Sequence, residues 1–322
     1  MVLLLTRKGK GFGLGHLKRM EVLRNFLLSK GIKVDLLLLE EFTYEVRNYD
    51  VILTDAREID EELVRNLVRS GKILISLDDI ETYKPYVVSV FSLPHFGVCW
   101  GANFDGIDYL ILNPYLLEVE KSRDIDILIT FGGEDPNNLT MFVLKNFSEF
   151  LRNKRVGVYV GELFKYTDYL KELKSFVSFE IFESRYFNIH KLIGCSDVII
   201  TSFGITVYEA LVLGKKVLLF NNSEYHHNIT LMSGLIGKGV FEVGYLDKKR
   251  FVFLNFPENI DFSIPTINID VSRNLDRWYS LVIRVLGLKG VDISKFWDSV
   301  VVSRSQNMTV FNVGSNEFEL CF

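Results

Sequence analysis

The residues in this sequence whose types and spacing can do chemistry sit in a few short loops. The stretch GKGFGLGHLKRM, beginning at Gly9, packs four glycines into seven residues and ends them on His16. Gly11, Gly13 and Gly15 permit positive φ and close approach of a ligand to the backbone. The helix expected after them offers unpaired N–H groups and partial positive charge to an anion. On that first turn an imidazole is disfavoured as a cation, so a neutral His16 can take a proton as a general base. The plainer alternative, a helix-start histidine touching water, is outweighed by the glycine loop before it. The stretch is not a dinucleotide fingerprint, because His16 stands where a third glycine would fall, and no Gly-Lys-Ser/Thr follows to make a phosphate loop.

Other loops add candidates. Ser76-Leu77-Asp78-Asp79 sets two acids at a strand end; one of them can orient His16 or meet a sugar hydroxyl, or serve as a cap. Asp55 is a similar but weaker candidate. In the run from Thr130 to Asn138, Gly132 and Gly133 leave backbone N–H groups for an anion. There Asp135 can cap the next helix and Asn138 can bond a ligand. In TSFGITVYE, starting at Thr201, a strand gives way to a helix near Ile205. Ser202, Gly204, Ile205 and Thr206 can hold a diphosphate with first-turn amides, and Glu209, one turn on, can take the two hydroxyls of a ribose. Glu224-Tyr225-His226-His227-Asn228 reads as a polar loop over a ligand. Adjacent histidines chelate one ion poorly and no HExxH spacing accompanies them, so no metal and no cofactor is expected. His95 and His190 read as structural or surface residues.

These loops need a frame. The 322 residues suffice for two domains, with 48% hydrophobic and 13% aromatic content. A net charge of −4 gives no general attraction to nucleic acid or anionic lipid. The apolar runs are strand-sized, far below the roughly 20 residues that span a bilayer, and Val2–Leu5 reads as a strand rather than a signal peptide. Cys99, Cys195 and Cys321 are widely spaced, which suits a reducing cytoplasm. The sequence is silent on oligomeric state.

The rhythm is strand, turn, amphipathic helix, and it predicts α/β architecture with parallel sheets. Strands are expected at Val2–Leu5, Val34–Leu39, Val51–Leu53, Ile73–Leu77 and Leu110–Leu112, with helices at Gly15–Lys30 and Glu61–Ser70. After a charged linker at Glu118–Asp124 a second array begins. Its expected strands are Ile125–Phe131, Val156–Val160, Val177–Phe182, Asp197–Thr201 and Val217–Phe220. Its expected helices are Met141–Leu151, Tyr166–Lys174, Ile189–Ile193, Ile205–Leu213 and Ile229–Ile236. The boundaries are a first domain at 1–118, a second at 125–270, and a C-terminal helix (Leu275–Leu286) and β appendage at 271–322.

The order GFGLGHLKR, SLDD, LITFGGEDPNNLT, SFGITVYEALVLGKKVLLF resembles the UDP-sugar hydrolases of the pseudaminic acid pathway and the related spore-coat polysaccharide proteins. These have the glycosyltransferase-B fold and stand near MurG-like N-acetylglucosaminyltransferases. The resemblance covers roughly residues 1–245. It is carried chiefly by Gly13, Gly15, His16 and Arg19 and by Gly132, Gly133 and Asp135. It implies two Rossmann-like domains facing a cleft, with His16 activating water against the anomeric carbon to release UDP and a free amino or deoxy sugar. It further implies sugar contacts at Gly13, Gly15, Arg19 and Asp79. It places diphosphate and ribose contacts around Gly204, Ile205, Thr206 and Glu209, and the loops themselves add Gly132, Gly133, Asp135, Asn138, Ser202, His227 and Asn228 as candidate nucleotide contacts. The sequence departs from the family where His227-Asn228 replaces Asn-Gln and Asp55-Ala56-Arg57 replaces Asp-His-Tyr, and both departures bear on the sugar. A glycosyltransferase using a UDP-sugar donor, or a non-catalytic nucleotide-sugar binding protein, are the alternative readings.

Overall fold

The computed structural model describes residues 1–8, 14–43, 45–56, 59–79, 87–94, 103–174, 177–256, 267–287, 301–305, 308–313 and 316–321. The chain divides into two compact units. The first takes in Met1–Lys8, His16–Ile111 and the chain from Ser272, and the second takes in Gly9–Gly15 and Leu112–Val271.

In the first unit β1 (Val2–Thr6), β2 (Val34–Leu38), β3 (Val51–Asp55), β4 (Ile73–Leu77), β5 (Val88–Phe91) and β6 (Phe104–Asp105) form a parallel sheet in the order β2-β1-β3-β4-β5-β6. All five residues of β1 are buried, as a central strand covered on both faces requires. Val2 and Leu4 face a core with α1 (Gly15–Ser29), while Leu3 and Leu5 face one with α2 (Glu61–Arg69). Met20, Leu23 and Leu27 give α1 its buried stripe. Asp60 caps α2 by accepting from Glu62 N at 2.6 Å.

In the second unit β7 (Ile125–Ile129), β8 (Val156–Val160), β9 (Glu180–Glu183), β10 (Ser196–Thr201), β11 (Lys216–Asn221), β12 (Val240–Asp247) and β13 (Arg250–Phe253) are ordered β13-β12-β11-β10-β7-β8-β9. Pairing is parallel except for the β12–β13 hairpin. The helices are α3 (Leu139–Asn146), α4 (Ser148–Leu151), α5 (Thr167–Leu173), α6 (Ile189–Gly194), α7 (Ile205–Val212) and α8 (Glu224–Met232).

Several expectations are corrected. The buried run Leu110–Leu112 is not a strand: it follows a 3-10 turn at Ile107–Tyr109, and β5 and β6 complete the sheet instead. The helix expected at Ile229–Ile236 begins earlier, because Ser223 caps Glu224–Met232 and Gly234 (φ 62°) follows its end. The expected C-terminal helix is α9 (Val271–Gly287), and it packs into the first unit. Leu275, Trp278, Leu281, Val282 and Val285 join the core of the first unit, and Trp278 Nε1 donates to Tyr109 O at 2.8 Å. Beyond it β14 (Val301–Ser305), β15 (Met308–Val313) and β16 (Asn316–Cys321) form an antiparallel sheet. No helix among the described residues is long and apolar enough to cross a membrane.

Candidate active site

In open parallel sheets a ligand site forms beyond the carboxyl ends of the strands, where the strand order reverses. In the first unit that point is β1, flanked by β2 and β3. His16 follows β1 on the first turn of α1, and Asp55 is the last residue of β3. His16 Nδ1 lies 2.6 Å from Asp55 Oδ1. An ionised carboxylate only accepts, so it fixes the proton on Nδ1 and leaves the Nε2 lone pair to act as a base. The His16 side chain keeps 15% of its surface exposed, whereas Asp55 keeps none.

Arg19, one turn further along α1, holds this pair. Its Nε donates to Asp55 Oδ2, its Nη2 to Asp55 Oδ1 at 2.5 Å, and its Nη1 to Asp78 Oδ2 at 2.5 Å. Nη2 also stands 3.4 Å from His16 Nδ1, too long to compete with the carboxylate. Asp78, in the left-handed region at φ 51°, accepts further bonds from Ser92 N and Ser92 Oγ, both at 2.7 Å. Burial works against the Arg19 charge, but Asp55 and Asp78 outweigh it and hold the guanidinium above its ordinary value. Burial likewise opposes the Asp55 anion, and Arg19 with His16 overcomes it, so this carboxyl lies below the usual range.

The partner of His16 is thus Asp55, not one of the Asp78-Asp79 pair, because β3 and not β4 is the neighbour of β1. Arg19, expected at the sugar, is 5% exposed with its donors turned to carboxylates. Asp79 is buried as well. A Cβ on Gly15 would meet nothing within 4 Å. Gly13, Arg57 and His95 lie outside the described residues.

In the second unit the reversal falls at β7, between β10 and β8. Gly132 turns at φ 77°, and a Cβ on Gly161 would come within 2.4 Å of Gly133 Cα, so these loops pack backbone to backbone. Asp135 is buried and accepts from Leu139 N at 2.8 Å and Thr140 N at 2.9 Å. Burial raises its carboxyl despite those bonds. Its geometry is that of a cap on the start of α3. Asn138 adopts φ 54° and its Oδ1 is buried without a partner.

Gly204, Ile205 and Thr206 open α7 and are half-buried, and a Cβ on Gly204 would meet nothing within 4 Å. Space at that glycine suits a ligand near the helix N-terminus. Ser202 Oγ accepts from Asn222 N at 3.1 Å. Glu209 Oε1 lies 2.9 Å from Nε2 of His190, which is buried and whose Nδ1 has no partner. The sequence reads His190 as a structural or surface residue; only the strand order brings α6 beside α7. His227 and Asn228 lie within α8 rather than in a loop. His227 Nδ1 lies 2.8 Å from Glu242 Oε2, a residue the sequence did not single out. Among the described residues no group of three or more His, Cys, Asp or Glu is placed to hold a metal ion.

No family model matches the chain. The uncharacterised protein MJ1062 of Methanocaldococcus jannaschii is 32% identical over 197 residues, 54% of this chain and 41% of that protein. The chain therefore spans about two fifths of that relative's length. Among solved structures, MurG of Acinetobacter baumannii matches at a TM-score of 0.50 and 11% identity, over 75% of this chain and 85% of MurG. The spinosyn rhamnosyltransferase SpnG, solved with spinosyn aglycone, matches at a TM-score of 0.50 and 12% identity, over 92% of this chain and 95% of SpnG. The fold is two parallel-sheet α/β domains of the glycosyltransferase-B type.

Proposed function

We propose that the chain moves a glycosyl group from a nucleoside-diphosphate sugar, with UDP as the first choice of nucleotide, to a hydroxyl that His16 activates. The observation that carries this is the His16–Asp55 pair, in which a buried carboxylate fixes the imidazole with Nε2 available as a base. The nucleophile's O–H proton passes to Nε2 while its oxygen attacks the anomeric carbon. The bond from that carbon to the β-phosphate oxygen breaks, and its electron pair leaves on the diphosphate. A single displacement of this kind inverts the anomeric centre. A positioned base contributes roughly 10²–10⁴-fold to such a step. In this reading the amides of Gly204, Ile205 and Thr206 receive the diphosphate and Glu209 the ribose diol.

An acceptor hydroxyl is placed ahead of water as nucleophile because one fold neighbour is named a rhamnosyltransferase. Water is the second reading, favoured by the GFGLGHLKR and FGGEDPNN loops in the order they hold in UDP-sugar hydrolases. Both share His16. Incubating the protein with UDP-, CMP- and GDP-sugars, with and without candidate acceptors, separates them: release that needs an acceptor means transfer, and release without one means hydrolysis. Turnover that survives His16→Ala unchanged would overturn both.

A further inference from the structure

The candidate diphosphate loop carries no cation of its own: from Thr201 to Glu209 it reads TSFGITVYE. A diphosphate there would rest its negative charge on neutral donors. The structure joins a histidine–carboxylate pair to that loop by side-chain bonds. Glu242 Oε2 lies 2.8 Å from His227 Nδ1, and its Oε1 accepts from Asn221 Nδ2 at 2.6 Å. Asn221 Oδ1 in turn accepts from Phe203 N at 2.9 Å and from Ser202 Oγ at 3.4 Å. The amide orientation is set by its partners, since the carboxylate can only accept and the Phe203 N–H can only donate.

Asn221 is 0% and Glu242 4% exposed, so this chain of bonds runs inside the unit. An extra residue in β12 between Glu242 and Gly244, where the register to β11 shifts, is the kind of bulge that re-aims a side chain. The His227 ring is stacked on Tyr245 with centroids 4.6 Å apart and planes 14° apart, which fixes its plane. With Nδ1 committed to Glu242, Nε2 is the nitrogen left to meet a ligand, on a side chain 17% exposed. Glu242 at Nδ1 and a phosphate at Nε2 both accept, so the ring satisfies the two together only with a proton on each nitrogen.

We propose that His227, held by Glu242, is the cationic donor to the nucleotide's phosphates, and that Asn221 and Glu242 are positioning residues tying it to the Ser202–Gly204 loop. The inference rests on the nucleotide reading of the preceding subsection and adds the source of positive charge that the loop lacks.

Titration calorimetry with UDP and with uridine tests it. A charge-assisted bond predicts that His227→Ala weakens UDP about 10- to 100-fold and leaves uridine within about twofold. Glu242→Gln keeps the shape and the bond to Asn221 but removes the anion. It predicts an intermediate loss of about 3- to 10-fold for UDP, and reports even where His227→Ala destabilises the fold. UDP binding unchanged in both variants, or a loss shared equally by uridine, overturns the proposal alone. A wild-type protein that binds none of UDP, CDP, GDP and ADP overturns the nucleotide reading and this proposal with it.

Discussion

The imidazole of His16 rests with Nδ1 2.6 Å from Oδ1 of Asp55, a carboxylate with no exposed surface. The pair is local to one unit and bridges two adjacent strand ends. Its orientation owes nothing to a ligand: Arg19 grips Asp55 through two nitrogens and Asp78 through a third. The imidazole is therefore held in place without a ligand, and in the proposed reading this presets the base before substrate arrives, the condition under which positioning contributes to rate.

Asp55→Asn should lower turnover by about 10²–10⁴-fold, the range of a positioned base, while leaving UDP affinity near wild type. His16→Ala should cost a similar factor. Because the two residues act as one device, the double variant should be no slower than His16→Ala alone. Steady-state nucleotide release with calorimetric UDP affinities measures all three; fully multiplicative losses would separate the residues' roles.

Arg19→Met leaves Asp55 and Asp78 buried without their counter-charge and should cost about 3–5 kcal/mol, measured by urea unfolding. Arg19→Lys should restore only part, because one ammonium does not reproduce the fork that reaches two carboxylates. The pH dependence should change sign. In the wild type the folded-state Asp55 is held below its unfolded value. Its contribution is therefore present above the ordinary carboxylate value of about 4 and is lost as pH falls through the depressed folded value. In Arg19→Met desolvation would raise that carboxyl, so stability should instead fall as pH rises above about 4. Unfolding free energies across that window decide it.

Asp135 takes the capping role that its loop suggested. Its two oxygens receive the Leu139 and Thr140 amides at the start of α3. Asp135→Ala should cost about 1–2 kcal/mol as a lost cap, and Asp135→Asn, which still caps, much less. Burial raises this carboxyl. Its ionisation therefore weakens the fold as pH rises from the unfolded aspartate value to the raised folded one, and Asn should remove that slope. Neither variant should alter UDP affinity by more than its effect on stability; a direct loss of UDP binding in Asp135→Asn would make Asp135 a nucleotide contact as well as a cap.

What the sequence made legible is what local pattern encodes. The continuous apolar runs Val2–Leu5 in β1 and Val217–Phe220 in β11 announce strands covered on both faces. Pairings set by strand order were not legible. Asp55 outranks Asp78 as partner of His16 only because β3 adjoins β1, and Glu242 meets His227 only because β12 adjoins β11. The β12–β13 hairpin was hidden because its turn places Lys248 and Lys249 at φ 41° and 81°, where glycine or asparagine would have signalled it. The return of α9 to the first unit joins residues far apart in the chain, and no periodicity carries that information.

That return supplies the last prediction. Trp278 is fully buried, packs edge-on against Tyr109 with centroids 6.1 Å apart, and donates Nε1–H to Tyr109 O at 2.8 Å. Asn274 Nδ2 adds a bond to Ile107 O at 2.7 Å, so α9 closes the same 3-10 turn from two positions. Trp278→Ala should cost about 3–5 kcal/mol, and Trp278→Phe should cost less, losing the bond and part of the contact. The first unit supplies His16. Truncation after residue 270 would uncover Leu275's and Trp278's partners in that core, so it should abolish turnover and expose apolar surface to dye. UDP binding, which belongs to the second unit in the proposed reading, should persist. A truncated chain that still turns over substrate would show α9 to be dispensable to the unit it completes.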